Sequence, residues 1–438
     1  MEKKVVDTAV FAKRRILFVP LDWGLGHATR LVPWIEEAVR GGDEVWIGGN
    51  GRSGAWLKER FPNLPFEEAP EWTLRHTGNL AWDLIKDSRA YRRSLQADRQ
   101  WATEIASRLQ LTHLVSDHRL GLRAHGAKAT TVHHVLVIHQ LTLALPWLWR
   151  WPVLMQGVSL TVWALLRPYW SSFQELWIPD TGQAGTALAP HLSMLPWVKD
   201  GPRWSTERDQ RSRWPRFRYL GWRSRFEGMS PKITENTGDA MPEESAILVV
   251  LSGPEPARSR LEALVIAQWD SWGKAQGEQA SLGEQASLGD RPSALWLVRG
   301  LPGSSMNTDG MLPETLPEMP PIKGLKIWES PDDHTMIMLL FKAEWIVSRA
   351  GYSSCMDYAC LRSWWPERTR PWRICTVYAR GHSEQAYLGH RLKRKGQADF
   401  RQESTFDLRE AWLNRGKFTF TYAFSSSPLE SNESSHFV

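Results

Sequence analysis

Apolar and polar residues alternate along the chain in blocks that predict strands followed by helices. Residues 15 to 20 form an apolar run typical of a buried strand, and residues 31 to 40 carry apolar side chains at helical spacing. Pro33 fits only the first turn of a helix. We therefore expect this helix to begin at about residues 30 to 32, leaving residues 22 to 28 as a loop.

The same alternation recurs through both halves of the chain. A long helical region is predicted around residues 84 to 109. Further strands are predicted at residues 44 to 47, 114 to 116, 135 to 138, 176 to 178, 246 to 251, 295 to 298, 325 to 328, 345 to 348 and 374 to 377. Strands that alternate with helices indicate parallel sheets, so the pattern predicts an α/β protein.

The length of the chain predicts two domains. Its 438 residues, 42% of them hydrophobic, exceed what one domain needs.

A tandem Gly-Glu-Gln-Ala-Ser-Leu repeat at residues 277 to 288 predicts a mobile loop. We expect a disordered lead at residues 1 to 14, an N-terminal domain at 15 to 226, a linker at 227 to 245, a C-terminal domain at 246 to 420 and a disordered tail at 421 to 438.

Charge and cysteine content indicate the cellular compartment of the protein more than they indicate its function. A net charge of +6 suits anionic partners such as nucleotides, lipid surfaces or nucleic acids without choosing among them. The three cysteines, Cys355, Cys360 and Cys375, match neither a zinc motif nor a disulfide framework. With no signal-peptide pattern in the first 15 residues, we expect a cytoplasmic protein.

The most apolar stretch lies at residues 152 to 166 and is too short for a spanning helix, which needs about 20 residues. Arginines bound it and five tryptophans lie in or near it, at positions 147, 149, 151, 163 and 170. A helix of this kind packs inside a domain or lies against a lipid surface. Peripheral contact with the cytoplasmic face of a membrane is therefore one hypothesis.

A glycine-rich turn, Asp22-Trp23-Gly24-Leu25-Gly26-His27, follows the first strand. Gly24 and Gly26 let the backbone approach a ligand and offer it N–H groups. Because residue 29 is threonine, the turn lacks the dinucleotide-binding spacing. His27 has the chemistry to accept a proton from a hydroxyl group, although a structural histidine fits equally, and Asp22 is an alternative base.

Residues 20 to 30 resemble the N-terminal loop of bacterial glycosyltransferases related to MurG, in which a Gly-x-Gly-His-type turn lies beside the acceptor site. The resemblance covers roughly residues 15 to 395 and extends to a C-terminal domain of the glycosyltransferase family 28 type. It implies a GT-B fold, with two Rossmann-like domains facing a central cleft.

The second half carries further matches, which the resemblance places around a nucleotide-sugar donor. A strand-to-helix motif matches at residues 348 to 351, and an acid expected to hold the ribose follows at position 357. Another match has the pattern Gly-x-Ser-Glu-Gln, and a tight turn follows the strand at residues 246 to 251. The resemblance thus implies donor-binding roles for Ser252, Gly253, Ser348, Arg349, Ala350, Gly351, Asp357, Ser383, Glu384 and Gln385.

Three fainter matches are Ser116-Asp117-His118-Arg119, His139-Gln140 and Tyr219-Leu220-Gly221, and the first makes Asp117 a third candidate base. Residues 363 to 373, rich in Trp, Arg and Pro, depart from the short loop expected there.

We expect no metal site, since neighbouring His133 and His134 face opposite sides of a strand. The pair Asp332-Asp333 precedes a helical stretch, where Asp is an expected cap.

These features predict a hexosyltransferase that moves a hexose or N-acetylhexosamine from a UDP-sugar, without a cofactor or metal, to an unidentified acceptor. A lipid-linked acceptor is one candidate. One alternative is a UDP-sugar epimerase of the same fold. Another is a nucleic-acid or membrane-surface binding protein that uses the eight arginines between residues 201 and 226.

Overall fold

The computed structural model contains two parallel β-sheets, each built from strands that alternate with helices. It describes residues 13 to 72, 88 to 125, 131 to 142, 151 to 195, 215 to 229, 245 to 281, 291 to 302, 322 to 365 and 371 to 424. The two sheets confirm the predicted α/β architecture with one parallel sheet in each half.

The first sheet has seven strands in the order β3-β2-β1-β4-β5-β6-β7, and all neighbours are parallel. Its strands are β1 (Arg15–Pro20), β2 (Glu44–Gly49), β3 (Phe66–Glu68), β4 (His113–Asp117), β5 (His133–Val137), β6 (Glu175–Ile178) and β7 (Arg216–Tyr219). Its helices are α1 (Leu25–Arg40), α2 (Gly51–Arg60), α3 (Ser88–Arg108), α4 (Pro152–Trp170) and the short α5 (Pro190–Ser193).

The second sheet has six parallel strands in the order β10-β9-β8-β11-β12-β13. Its strands are β8 (Ala246–Val250), β9 (Ala294–Val298), β10 (Leu325–Trp328), β11 (Trp345–Ser348), β12 (Ile374–Tyr378) and β13 (Asp399–Gln402). Its helices are α6 (Ala257–Ser281), α7 (Asp333–Lys342), α8 (Tyr352–Trp364), α9 (Ser383–Arg394) and α10 (Leu408–Leu413).

Both faces of each sheet are buried, which explains the continuous apolar strands. In β1, Ile16 and Phe18 pack against α1, whereas Leu17 and Val19 face a separate cluster that includes Ile105 of α3. The residues of β8 divide between two clusters in the same alternating way. Parallel strands also direct their carboxyl ends to one edge, where ligands bind in folds of this class.

Three strands were missed by the sequence analysis, and all three lie at the edge of a sheet. They are β3, β7 and β13, with the sequences Phe-Glu-Glu, Arg-Phe-Arg-Tyr and Asp-Phe-Arg-Gln. An edge strand has a neighbour on one side only and commonly carries charged residues. Such strands lack the apolar run by which central strands are recognised.

The predicted start of the first helix is wrong, because α1 begins at Leu25 and contains Pro33 in its interior. Proline removes one hydrogen bond inside a helix, at a cost of about 3 kcal/mol. The preceding turns bury Ala28, Leu31 and Val32 against the sheet, and this packing keeps them helical. Gly24 therefore caps the helix, and Gly26 and His27 lie in its first turn.

Two other predicted boundaries also change. Residues 277 to 281 of the repeat continue α6, since Glu, Gln and Ala favour helices, and the rest of the repeat lies outside the described residues. Residues 421 to 424 of the predicted tail contact the second domain, where the backbone N–H of Thr421 donates to Gln397 at 2.7 Å. The predicted linker lies almost entirely outside the described residues.

Helix α4 covers the apolar stretch identified in the sequence. Within the ranges described above, none of the helices is both long and apolar enough to cross a bilayer.

Gly389 fixes how closely α9 packs on β13, because a Cβ atom at this position would overlap the ring of Phe400. We expect Gly389→Ala to lower the free energy of unfolding by about 1–3 kcal/mol, since overpacking outweighs the gain in helix propensity. Chemical denaturation measures the change.

The matched control is Gly157→Ala in α4, where an added Cβ would meet nothing within 4 Å. This variant should raise the free energy of unfolding by about 0.5–1 kcal/mol, because alanine favours the helix. Equal effects of the two substitutions would contradict the packing described for α9.

Candidate active site at the domain boundary

The first turn of α1 lies at the carboxyl edge of the first sheet and touches the second domain. Gly24, the residue that caps α1, has a φ of +102°, a conformation that favours glycine. A Cβ at Gly24 would lie 3.1 Å from the Cα of Gly253, and the hydroxyl of Ser353 donates to the carbonyl of Gly26 at 2.8 Å. The predicted acceptor loop and the predicted donor turn therefore meet across the domain boundary.

His27 is hydrogen bonded to Asp117, the last residue of β4. Nδ1 of His27 lies 2.8 Å from Oδ1 of Asp117, and the carboxylate is fully buried. Because β1 and β4 are paired neighbours, the loop after β1 brings His27 directly over the end of β4. The structure thus joins two of the three candidate bases into one pair.

Arg30 supplies the compensating charge for the buried carboxylate. It lies one helical turn after His27, and its Nε is 3.5 Å from Oδ2 of Asp117. Burial opposes ionisation of Asp117, but Arg30 and His27 outweigh it and hold the pKa of the carboxyl well below its usual range. An ionised carboxylate only accepts hydrogen bonds, so Nδ1 of His27 carries a proton and donates it to Asp117.

His118 makes a second hydrogen bond to the same oxygen. Its Nδ1 is 2.7 Å from Oδ1 of Asp117, and its backbone is held in the left-handed region at a φ of +58°. Burial lowers the pKa of His118 to about 4, despite the hydrogen bond with Asp117, so the ring is neutral. Strained non-glycine residues of this kind are concentrated at functional sites.

A polar chain then crosses from the first domain to Glu384 of the second. Arg30 donates to Nδ1 of His139, and Nε2 of His139 lies 3.2 Å from Oε1 of Glu384. Gln140 donates to the other oxygen of Glu384. Burial lowers the pKa of His139 well below its usual range and Arg30 adds to this, whereas burial raises the pKa of Glu384. His139 is therefore neutral, with its proton on Nε2 facing Glu384.

Several buried polar atoms of this cluster have no hydrogen-bond partner among the described residues. They are Nε of Arg30, Oδ2 of Asp117, Nε2 of His118 and Nε2 of His139. Buried polar atoms in folded proteins are nearly always satisfied. Three of these atoms lie opposite a charged partner beyond ideal hydrogen-bond geometry, Arg30 opposite Asp117 and His139 opposite Glu384, so Nε2 of His118 is the atom without such a partner among the described residues.

The ligand atoms of His27, Asp117 and His118 lie within 4.8 Å of one another, a spacing that could hold a metal ion. The sequence pattern predicts no metal site at these residues. Both imidazoles direct Nδ1 at one carboxylate oxygen, and Arg30 already balances the charge of Asp117. Hydrogen bonds and this ion pair account for the arrangement, and the guanidinium disfavours an added cation.

On the donor side, α8 begins directly after the predicted motif. Gly351 caps α8 without a side-chain hydrogen bond, so the first N–H groups of this 13-residue helix are available to an anion. Ser348 and Ala350 are fully buried at the end of β11. Arg349 is also buried and donates to Glu403 and to the carbonyls of Ala257 and Val377, which fixes the motif rather than exposing its charge.

The other predicted donor residues occupy two turns of the second domain. Ser252 and Gly253 follow β8, and Gly253 has a φ of +96° where it faces Gly24. Ser383 begins α9 and places Glu384 in its first turn, while Gln385 accepts a hydrogen bond from the backbone of Ala379 at 3.3 Å. Of this group, Glu384 is the one brought against the His27 and Asp117 cluster.

Asp22 and Asp332 both cap helices. Oδ1 of Asp22 accepts a hydrogen bond from the backbone N–H of Ser53 in the first turn of α2, at 2.9 Å. Asp332 accepts from the backbone N–H of Thr335, which confirms the cap predicted for α7. One carboxylate oxygen of Asp22 thus holds the start of α2, and its role as a base stays a prediction.

Four of the eight arginines between residues 201 and 226 lie in the described part of the chain, and three of these four pair with acidic side chains. Arg218 pairs with Glu175, Arg223 with Glu227, and Arg225 with Asp357. These arginines bind the protein itself, which leaves the nucleic-acid alternative without support from this part of the stretch.

Asp357, the predicted ribose ligand, is buried against the segment that follows β7. Its Oδ1 accepts from the hydroxyl of Ser224 at 2.7 Å, and its Oδ2 lies 3.2 Å from Nε of Arg225. Burial raises the pKa of Asp357 to about 6, against the opposing effect of Arg225. Both oxygens of Asp357 thus have partners within the protein, and its ribose role stays a prediction.

The raised pKa of Asp357 predicts how the stability of the protein depends on pH. Between about pH 4 and pH 6 the folded chain keeps a proton on Asp357 that the unfolded chain releases, so the free energy of unfolding falls as the pH rises. Relative to Asp357→Asn, which cannot titrate, the wild type should lose up to about 3 kcal/mol across this window. Denaturant titrations at several pH values measure the difference, and parallel curves would contradict the assignment.

Comparison with known proteins supports the fold. No family model matches the chain, and no curated protein matches it. Phytolacca americana UGT2, solved with UDP-2fluoro-glucose and pterostilbene, is 13% identical over 93% of this chain and 90% of its own, with a TM-score of 0.51.

Two further solved structures resemble the chain at lower TM-scores. The glycotransferase of kitacinnamycin is 14% identical over 92% of this chain and 91% of its own, with a TM-score of 0.48. SnogD from Streptomyces nogalater is 14% identical over 93% and 95%, with a TM-score of 0.46. Membership of the MurG-related family stays a prediction. With its two parallel-sheet α/β domains and its likeness to UGT2 over nearly the whole length, the chain has the GT-B fold.

Proposed function

We propose that this protein is a glycosyltransferase that moves a hexose or N-acetylhexosamine from a UDP-sugar to a hydroxyl group of an acceptor. The observation that carries the proposal is the hydrogen bond between His27 and Asp117, which is formed opposite the N-terminus of α8. The pair provides a base on the first domain, and the helix provides an anion site on the second.

His27 is the general base of this proposal. Asp117 holds the proton of His27 on Nδ1, so that Nε2 can take the proton of the acceptor hydroxyl. The fully buried carboxylate then stabilises the imidazolium that forms, as an orienting acid does in catalytic triads. The deprotonated oxygen attacks the anomeric carbon and UDP leaves, which inverts the configuration at that carbon.

The leaving diphosphate is bound by the start of α8. Its first backbone N–H groups are uncapped by side chains, and the helix dipole favours negative charge there. Stabilisation of this kind needs no metal ion, because N–H groups aimed at the developing charge lower the barrier directly. Arg349 supports the site from behind by fixing the loop between β11 and α8.

Glu384 is the proposed partner of the donor sugar. It lies in the first turn of α9, where a carboxylate can accept hydrogen bonds from sugar hydroxyls. His139 and Gln140 contact the same carboxylate from the first domain. The donor sugar would therefore share the carboxylate of Glu384 with these two residues. Glu384 therefore couples donor binding to contact between the domains.

Two observations support UDP as the nucleotide of the donor. The motifs of the second half resemble donor-binding residues, and UGT2, which shares the fold, was solved with UDP-2fluoro-glucose. The acceptor is unidentified, and a lipid-linked alcohol is the candidate that the sequence resemblance favours.

The first test of the function is donor binding and its consumption. A UDP-sugar that binds should raise the melting temperature of the protein, by an amount that grows with the logarithm of its concentration over its dissociation constant. UDP release should then depend on an added acceptor alcohol. If the protein forms an epimer of the sugar in the absence of an acceptor, it is a UDP-sugar epimerase and not a transferase. The proposal would be overturned if no UDP-sugar bound or reacted.

The second test concerns the catalytic pair. His27→Ala and Asp117→Asn should each lower kcat by about 10²–10⁴-fold, because one removes the base and the other its orientation. The donor-induced shift in melting temperature should persist in both variants. The exposed His125 provides a matched control, His125→Ala, which should keep full activity. Full activity of His27→Ala would contradict the assigned base.

A further inference from the structure

Four rings form a row along the boundary between the two domains. The centroids of His27 and His118 are 4.9 Å apart, those of His118 and His139 are 4.7 Å apart, and those of His139 and Tyr352 are 4.6 Å apart. His27 lies in the first turn of α1, and Tyr352 is the first residue of α8. The row therefore leads from the proposed base to the proposed diphosphate site. His118 lies next to the base and has no part in the transfer described above.

The protonation of His118 follows from its contact with Asp117. The carboxylate of Asp117 is ionised and only accepts hydrogen bonds, so Nδ1 of His118, at 2.7 Å from Oδ1, carries a proton. Burial lowers the pKa of His118 to about 4, and the ring therefore holds a single proton at neutral pH. Nε2 of His118 thus carries a lone pair, which can accept a hydrogen bond and cannot donate one.

Nε2 of His118 is a buried acceptor for which the described part of the chain provides no hydrogen-bond donor. Buried polar atoms of folded proteins nearly always have a partner. The backbone of His118 is also held at a φ of +58°, which is uncommon for a residue other than glycine. An acceptor without a donor, on a strained residue beside the proposed base, indicates that a ligand supplies the donor.

His27 and His118 are held by the same oxygen of Asp117. Their Nδ1 atoms lie 2.8 and 2.7 Å from Oδ1, and the two rings meet edge to face at an angle of 63°. The contact fixes each ring at Nδ1 and leaves Nε2 as the second polar atom of each. A hydrogen bond from a hydroxyl spans about 2.8 Å, so two rings 4.9 Å apart suit two hydroxyls on neighbouring carbon atoms.

We propose that the acceptor is a vicinal diol, as found in sugars and polyols, and that His118 binds the hydroxyl adjacent to the reacting one. This rests on the proposed function, in which Nε2 of His27 takes the proton of the reacting hydroxyl. The adjacent hydroxyl donates to Nε2 of His118 and so determines which oxygen of the acceptor meets the base. Because that nitrogen is buried when His139 contacts Glu384, the diol enters before the two domains make this contact.

The bonds that form and break are those of the transfer already described. The reacting oxygen gains the sugar, His27 gains the proton of that oxygen, and UDP leaves. His118 gains and loses no proton in this step and only binds the second hydroxyl.

An acceptor with one isolated hydroxyl, such as a long-chain alcohol or a phenol, would leave Nε2 of His118 without a donor. Sites built to hydrogen bond a hydroxyl reject analogues that lack it, because a buried polar group is then left unpaired. A lipid-linked acceptor therefore fits if its reacting hydroxyl belongs to a sugar or polyol headgroup.

The test compares acceptors that differ in the placement of their hydroxyls. The full chain is given a UDP-sugar that raises its melting temperature, and UDP release is measured with each alcohol. Glycerol, methyl α-D-glucopyranoside and cis-1,2-cyclohexanediol provide adjacent hydroxyls, whereas cyclohexanol and 1,4-cyclohexanediol do not. We expect kcat/KM to be at least about tenfold higher for cis-1,2-cyclohexanediol than for either control, which corresponds to one hydrogen bond.

His118→Asn separates binding of the second hydroxyl from a structural role. Asparagine tolerates the left-handed backbone and can still donate to Asp117, but its shorter side chain offers no acceptor at the position of Nε2. We expect kcat/KM for cis-1,2-cyclohexanediol to fall about tenfold more in this variant than that for cyclohexanol. A residue with a structural role alone would lower both values by the same factor. His125→Asn, at an exposed histidine, is the matched control and should keep the wild-type preference.

Equal kcat/KM values for the vicinal diols and the controls would overturn the proposal, as would an unchanged preference in His118→Asn. The comparison among acceptors uses the wild type alone, so it decides the matter even if the variant does not fold. Release of UDP with cyclohexanol but with no vicinal diol would leave the proposed function standing and exclude the diol. Failure of every UDP-sugar to bind, or release with none of the alcohols, would overturn the proposed transferase activity and the diol with it.

Discussion

The candidate site depends on the burial of one carboxylate at the end of a central strand. A buried charge is stable only when it is paired and hydrogen bonded. Asp117 obtains this compensation from Arg30 and from the Nδ1 atoms of His27 and His118. Two of these three residues belong to the first turns of α1, so the same interaction fixes the start of the helix and the position of His27 beside the end of β4.

The second domain is arranged around that same helix end. Gly24 faces Gly253, the carbonyl of Gly26 accepts a hydrogen bond from Ser353, and Arg30 is linked through His139 to Glu384. The contacts join three turns of the second domain to the first turns of α1 and to the segment that follows β5. The starts of α8 and α9 therefore lie close to His27 on α1, and movement between the domains would alter every one of these contacts.

Much of the fold was predictable from the sequence because both sheets are parallel and covered on both faces. Their central strands are uninterrupted apolar runs, and such runs are visible without any knowledge of partners. The edge strands β3, β7 and β13 were not predictable in this way, since charged residues occupy them. Pro33 also gave a misleading signal, because a local preference was overridden by the burial of Ala28, Leu31 and Val32.

The sequence by itself determined the two α/β halves, the glycine turn with His27, and the residue types that suit a nucleotide-sugar donor. Only the tertiary structure decided which of these residues meet. It joined His27 to Asp117, which lie 90 positions apart, and brought Arg30, His139 and Glu384 into one chain of contacts. It also placed Asp22 at the start of α2 and Asp357 in contact with Ser224 and Arg225. The physical reason is that spacing along a chain reports local geometry, whereas the pairing of buried charges is set by strand order and by helices packed from distant segments.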